Sequence, residues 1–290
     1  MKSQTTLIEE FVNEGATEGD SSHMYIDGDV LYSYGRHFPL LVRRDWGFLL
    51  NADKYSVTTS KHQYRCFRHA TIQLPFSALN SAKVSFRDFA LVAHDEQRYD
   101  TIGYRKANTD DKISVAEYEK LTAEQQEGYY PIEERRPEAA ILEQNGERYL
   151  SSMDGWNYFL CKLPEPVGTV EEAFASLKPV EVTDDNYIRQ GEWFFVEMPL
   201  DKAFIKKEYG NMEKNFVLPT KNPDGNLHIA TRGYENQYGI FVSGQIRHKT
   251  RWGGKGDHRM LRLSTLDNMK IFQAFENRAL GSWSASGNVD

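Results

Sequence analysis

Residues 24–50, MYIDGDVLYSYGRHFPLLVRRDWGFLL, read as extended segments paired through tight turns. Met24 to Ile26 and Val30 to Ser33 flank Asp27-Gly28-Asp29, where Asp-Gly supplies the positive φ a tight hairpin turn needs. Phe38 to Val42 and Phe48 to Leu50 repeat the arrangement around Asp45-Trp46-Gly47. Antiparallel pairing is thus set early, and later stretches continue it. Thr71 to Leu74, Lys83 to Phe86, Tyr149 to Pro166, Gly191 to Met198, Leu227 to Thr231, Ile240 to Ile246 and Met260 to Leu263 all read as strands.

Helical readings are fewer. Thr169 caps VEEAFASL, Ser114 and Glu117 form a capping box ahead of a helix to about Gln126, and Ser264-x-x-Asp267 predicts a terminal helix to near Leu280 with Gly281 behind it. The expected fold class is α+β, mainly antiparallel sheet with a few short helices and an acidic helical insertion at about 88–147. Residues 1–22, rich in Gly, Ser and acids after a short amphipathic stretch, read as a flexible lead. Residues 23–281 read as one domain and 282–290 as a flexible tail.

Tyr55 to His69, YSVTTSKHQYRCFRH, is the stretch with the clearest chemistry. Thr58, Thr59 and Ser60 are N-cap candidates, and a helix starting there would turn free N–H groups and a positive dipole end toward an anion. Lys61, Arg65 and Arg68 follow at spacings of four and three, along one helical face, with His62 and His69 on the same side. Phosphate is the natural ligand. The same residues also suit a surface helix whose cations are merely solvated while Tyr64 and Phe67 face the core.

The net charge of −7 is unevenly spread. Residues 88–147 hold 15 acids against 7 basic residues, a balance more negative than the whole chain, which leaves the remainder near neutral. Between Lys54 and Arg87 stand six Lys or Arg and no acid; between Gln245 and Arg262 stand six more against Asp257. Two basic islands on an acidic chain can still present a local positive field. The 290 residues are enough for a substantial core, and no apolar run approaches the length of a membrane span, so no membrane partner is expected. No basic and apolar leader is visible, and two cysteines, Cys66 and Cys161, read as reduced thiols. A cytoplasmic setting is the expectation.

The last 65 residues carry two further candidates. His228, His248 and His258 lie on or beside three successive strands, so pairing could gather them with Asp257 or Glu192 into a site for a divalent metal such as Zn, Mn or Ni. Their spacing matches no metal signature, and strand-end histidines also serve as hydrogen-bonded structural residues. The loop KTRWGGKGD offers Lys249, Arg251 and Lys255 for phosphate, with Arg247 just before it. Its three glycines permit close backbone approach, and Trp252 offers a face for a base. It lacks P-loop spacing, and a charged hairpin tip would look the same.

The phrases MYIDGDVLYSYGRHFPLL (Met24 to Leu41) and NADKYSVTTSKHQ (Asn51 to Gln63) resemble a segment of uncharacterised proteins encoded by phages, plasmids and related mobile elements. That resemblance covers roughly the first quarter of the chain and implies a mobile-element setting in a host cytoplasm. It brings no catalytic residues. The leading expectation is therefore a nucleic-acid-binding accessory protein contacting DNA or RNA through Thr59, Ser60, Lys61, His62, Arg65, Arg68, Arg247, Lys249, Arg251, Trp252 and Lys255. One alternative is a metal-dependent hydrolase or nuclease at His228, His248 and His258. The other is a virion or interaction component whose acidic insertion meets a protein partner.

Overall fold

Ser3 is extended, with φ −71° and ψ 154°, and its Oγ accepts the Thr6 N–H; helix α1 (Gln4–Asn13) starts on this cap. The computed structural model describes residues 2–284 apart from 35, 37, 97, 108, 110, 137, 155, 156, 184, 185, 220–226 and 250–259. Among the described residues are seven helices and 21 strands, a mixed α and β architecture dominated by sheet.

The first sheet follows α1 in strict chain order: β1 (Glu18–Asp20), β2 (Met24–Asp27), β3 (Val30–Ser33), β4 (Pro39–Arg44), β5 (Gly47–Asn51) and, after helix α2 (Val57–Phe67), β6 (Ile72–Leu74). Both expected hairpins form. Gly47 closes the second at φ +132°, where a Cβ would stand 2.0 Å from Thr71 Oγ1, the atom that accepts the Phe48 N–H. β5 and β6 run parallel with α2 as their crossover, in a sheet otherwise antiparallel. Helix α3 (Phe76–Ser81) follows where a polar turn was expected, with Pro75 before it and Phe76, Ala78 and Leu79 buried, and the strand expected over 83–86 does not form.

Strand alternation divides the first sheet's side chains between two cores. Leu31, Leu41 and Leu50 meet Leu7, Ile8, Phe11 and Cys66 from α1 and α2. Their neighbours Val30, Val42 and Leu49 point the other way, onto Ala140, Leu142, Tyr149 and Leu160 of a second sheet. The first residues are thus not a lead that buries little: Leu7 and Phe11 are fully buried.

The second sheet begins with β7 (Ala90–Asp95). The chain then forms a small three-stranded sheet from β8 (Arg98–Lys106), β9 (Lys112–Ile113) and β10 (Tyr129–Arg136), with the single-turn helices α4 (Val115–Tyr118) and α5 (Ala123–Gln126) between β9 and β10. It returns through β11 (Ala139–Gln144), β12 (Glu147–Asp154) and β13 (Asn157–Lys162), and α6 (Val170–Leu177) packs on the sheet's outer face against Ala139, Ile141, Leu150 and Cys161. The acidic insertion therefore contracts to the chain between β7 and β11 and is mainly strand. The Ser114/Glu117 box is present, but a second box at Thr122/Gln125 restarts the chain where one continuous helix was expected.

The third sheet comprises β14 (Tyr187–Gln190), β15 (Trp193–Glu197), β16 (Glu213–Val217), β17 (Leu227–Asn236), β18 (Gly239–Lys249), β19 (Leu261–Arg262) and β20 (Phe272–Glu276), with α7 (Lys202–Asn211) between β15 and β16. Trp193, Phe195, Val242, Ile246 and Phe272 form its own core. The expected helix over 264–280 is absent. Ser264 spends its Oγ on the Gly244 N–H and on Ser243, and the burial of Phe272 and Ala274 alternates as a strand requires. β21 (Gly281–Ser284) then crosses back to pair with β13, so the second sheet reads β21-β13-β12-β11-β7 and residues 282–284 are strand where a tail was expected. Cys66 and Cys161 are free and buried, and burial pushes each thiol up to about 12. No helix among the described residues is long and apolar enough to cross a membrane.

Candidate nucleic-acid interface

Helix α2 starts at Ser56, not at the hydroxyl triplet that follows it. Ser56 is extended and its Oγ accepts the Thr59 N–H at 3.1 Å. Gln63 fastens the loop before it: its Nε2 donates to Asn51 O and Asp53 O, both at 2.7 Å. With that start fixed, Thr59, His62 and Cys66 turn inward against the first sheet.

His62 is a correction to the expected anion site. It is 1% exposed and lies between Ser33 Oγ, 2.8 Å from Nδ1, and Gln4 Nε2, 3.1 Å from Nε2. The Gln4 amide nitrogen can only donate, so the His62 Nε2 accepts and Nδ1 carries the proton toward Ser33. Tyr34, at φ +60°, stacks on both His62 and His23, with centroids 5.7 Å and 4.7 Å away. Burial, followed by the Arg65 and His23 charges, pushes the His62 imidazole below its ordinary 6.5. A depressed imidazole pKa favours folding fully above the unfolded value and loses that contribution as pH falls beneath it. Urea unfolding between about pH 8 and pH 5 should therefore show a loss of stability that His62→Gln removes in part. Equal pH slopes in the two proteins would rule out this origin.

Thr59 is also buried, so the inward face removes two of the expected contacts. The outward face is richer than expected. Val57 is 77% exposed, Tyr64 82% and Phe67 56%, and beside them Ser60, Lys61, Arg65 and Arg68 are all exposed. Tyr64 and Phe67 do not face the core. Small or polar residues pack underneath while large apolar ones stand in water, which forgoes about 1.5–3 kcal/mol for an aromatic of this size. Such an arrangement makes this face a candidate contact surface. Arg65 bonds the Gln4 Oε1, and Arg68 lies 3.9 Å from Glu9 in an exposed pair worth little. Lys61 makes no hydrogen bond or ion pair among the described residues.

The second basic island stands on another sheet. Arg247 on β18 donates from Nη2 to Asn215 Oδ1 at 2.5 Å, and Lys249 is exposed at the strand's end. Arg251, Trp252 and Lys255 lie outside the described residues. Of the three histidines, two converge. His228 and His248 are direct partners across β17 and β18 with rings 4.5 Å apart, and Glu192 Oε1 stands 3.3 Å from His228 Nδ1. Burial pushes the Glu192 carboxyl up, but the His228 hydrogen bond and the charges of both rings outweigh it and leave the carboxyl below its ordinary range. His258 lies outside the described residues, among which no group of three or more His, Cys, Asp or Glu could hold a metal.

One feature escaped the sequence reading. A cavity of about 330 Å³ opens beside the start of α2, at the carboxyl ends of β5 and β6. Arg36, Phe38 and Pro39 line it from one of the phrases quoted for the mobile-element resemblance, and Asn51, Asp53, Lys54 and Tyr55 from the other. The signal was a parallel strand, helix, strand unit, since ligands favour the carboxyl ends of such strands. A three-residue β6 hid it.

Scans against protein-family models, curated proteins and solved structures return no match for this chain.

Proposed function

We propose that the chain binds nucleic acid, as an accessory protein of a phage or other mobile element, with the outward face of α2 as its principal contact. The exposure of Tyr64 and Phe67 among Lys61, Arg65 and Arg68 is the observation that carries this reading. Cations neutralise phosphates, and aromatic faces take unpaired bases at about 1–3 kcal/mol each, a pairing that favours single strands. Eleven helical residues extend about 16 Å, a contact length for a short stretch of strand. Arg247, half-buried and bonded to Asn215, and the exposed Lys249 stand on β18 of the third sheet as further basic residues.

Fluorescence anisotropy with a labelled single-stranded oligonucleotide across a salt series tests it. Binding should weaken linearly in log–log form, by about 0.7 per phosphate contacted. Binding indifferent to ionic strength, or none at low salt, would refute the proposal. A metal-dependent hydrolase at His228, His248 and His258 is the second reading, favoured by the direct pairing of the first two rings. Elemental analysis decides it: a stoichiometric transition metal supports the site and its absence from protein purified without chelator removes it.

A further inference from the structure

The cavity beside α2 has graded walls. Phe38 and Phe76 are 5% and 3% exposed and Asn51 only 2%, so these form its interior, whereas Arg36, Lys54 and Tyr55 stand at its mouth. The aromatic surfaces come in two pairs: Phe38 with Tyr55 at 5.4 Å, and Phe76 with Phe86 stacked at 4.7 Å. Its volume falls at the lower end of the roughly 300–1,000 Å³ typical of small-molecule sites.

Polar groups inside are held in place and retain bonding capacity. Asp53 accepts the Ser77 hydroxyl on Oδ1 at 2.6 Å and the Ser77 N–H on Oδ2 at 2.7 Å, which leaves each oxygen a further lone pair. Asn51 donates from Nδ2 to Pro39 O and accepts the Asp53 N–H on Oδ1. Asn80 adds a second side-chain amide to the wall. Carboxylate and amide groups of this kind match the amino and ring-nitrogen edge of a nucleobase. At the mouth, the Arg36–Asp27 pair is 2.9 Å long but largely exposed, so little energy opposes turning Arg36 to another anion.

We infer that this cavity takes a single nucleotide, its base between the two aromatic pairs and against Asn51, Asp53 and Asn80, its phosphate between Arg36 and Lys54. A planar ring, a hydrogen-bonding edge and an anion are required together, and a nucleotide supplies all three. The inference rests on the cavity alone and not on the outward face of α2. The nucleotide can be free or the end of a strand.

Isothermal titration calorimetry of the full chain with each of the four ribonucleoside 5′-monophosphates tests it, with ribose 5-phosphate and inorganic phosphate as controls. At least one nucleotide should bind saturably at one site. Lys54→Ala and Arg36→Ala, both at exposed positions, should each weaken it about tenfold, and Tyr55→Leu should do the same through lost stacking. No saturable binding, equal binding of ribose 5-phosphate, or binding unchanged in all three variants would overturn the inference. Competition between the mononucleotide and a 5′-phosphorylated oligonucleotide identifies a strand end as the source, and its absence identifies the free nucleotide. Lys61→Glu separates the two proposals: oligonucleotide binding unchanged in affinity and salt dependence would refute the α2 interface, while mononucleotide binding retained in the same variant would leave the cavity site standing.

Discussion

Reversing Lys61 and Arg68 to glutamate is expected to cut affinity for a single-stranded oligonucleotide by at least tenfold at about 0.1 M salt, and to flatten the salt dependence by about 1.4. Both residues are exposed on the outward face of α2. Lys61 has no bond among the described residues, and Arg68 has an exposed hydrogen bond from Nε to His69 Nε2 at 3.1 Å and the distant, exposed pair with Glu9, so the fold should be little affected. The helix cap at Ser56 and the buried Thr59, His62 and Cys66 are untouched. Each reversal removes a phosphate contact and adds a repulsive charge to a chain already at −7. An unchanged slope with an unchanged melting temperature would place the binding surface elsewhere, with β18 the next candidate.

Phe11→Ala should destabilise the protein by about 3–5 kcal/mol, measured by urea unfolding. Phe11 is completely buried, meets Phe48 at 6.0 Å and lies under the Arg43 guanidinium at 4.4 Å. Arg43 also donates to Phe11 O at 2.5 Å and Ala16 O at 2.9 Å, which satisfies carbonyls at and beyond the end of α1 and ties the helix to β4. Truncating the ring opens a cavity under this clamp and loosens the cover over Leu31, Leu41 and Leu50. A change below about 1 kcal/mol would mean that α1 is not docked on the first sheet.

Much of the strand content was legible because its signals are local. Asp27-Gly28 and the turn before Gly47 specify hairpins within a few residues, and Thr169 with Glu172 specifies α6. Longer-range competition hid the rest. Ser264 has the sequence of a helix cap, yet its hydroxyl is taken by Gly244, twenty residues away. The first residues look like a loose lead until β2 to β5 supply the apolar face that α1 covers. In α2 the cationic stripe was readable, but which face is buried depends on the small inward residues and on the Ser33 and Gln4 partners of His62. The cavity required knowing that Asn51 and Phe76 end up side by side, which no periodicity encodes.

The return of β21 to β13 has a consequence for biosynthesis. The second sheet's β13 is covered on its outer side by a segment that follows the entire third sheet in translation, so that side must emerge and wait some 120 residues for β21. Throughout that interval its backbone donors and acceptors stand ready for a neighbouring nascent chain. A ribosome stalling before Gly281 would release a product whose first sheet can form but whose second sheet has an open flank, and such fragments should be the ones that co-aggregate.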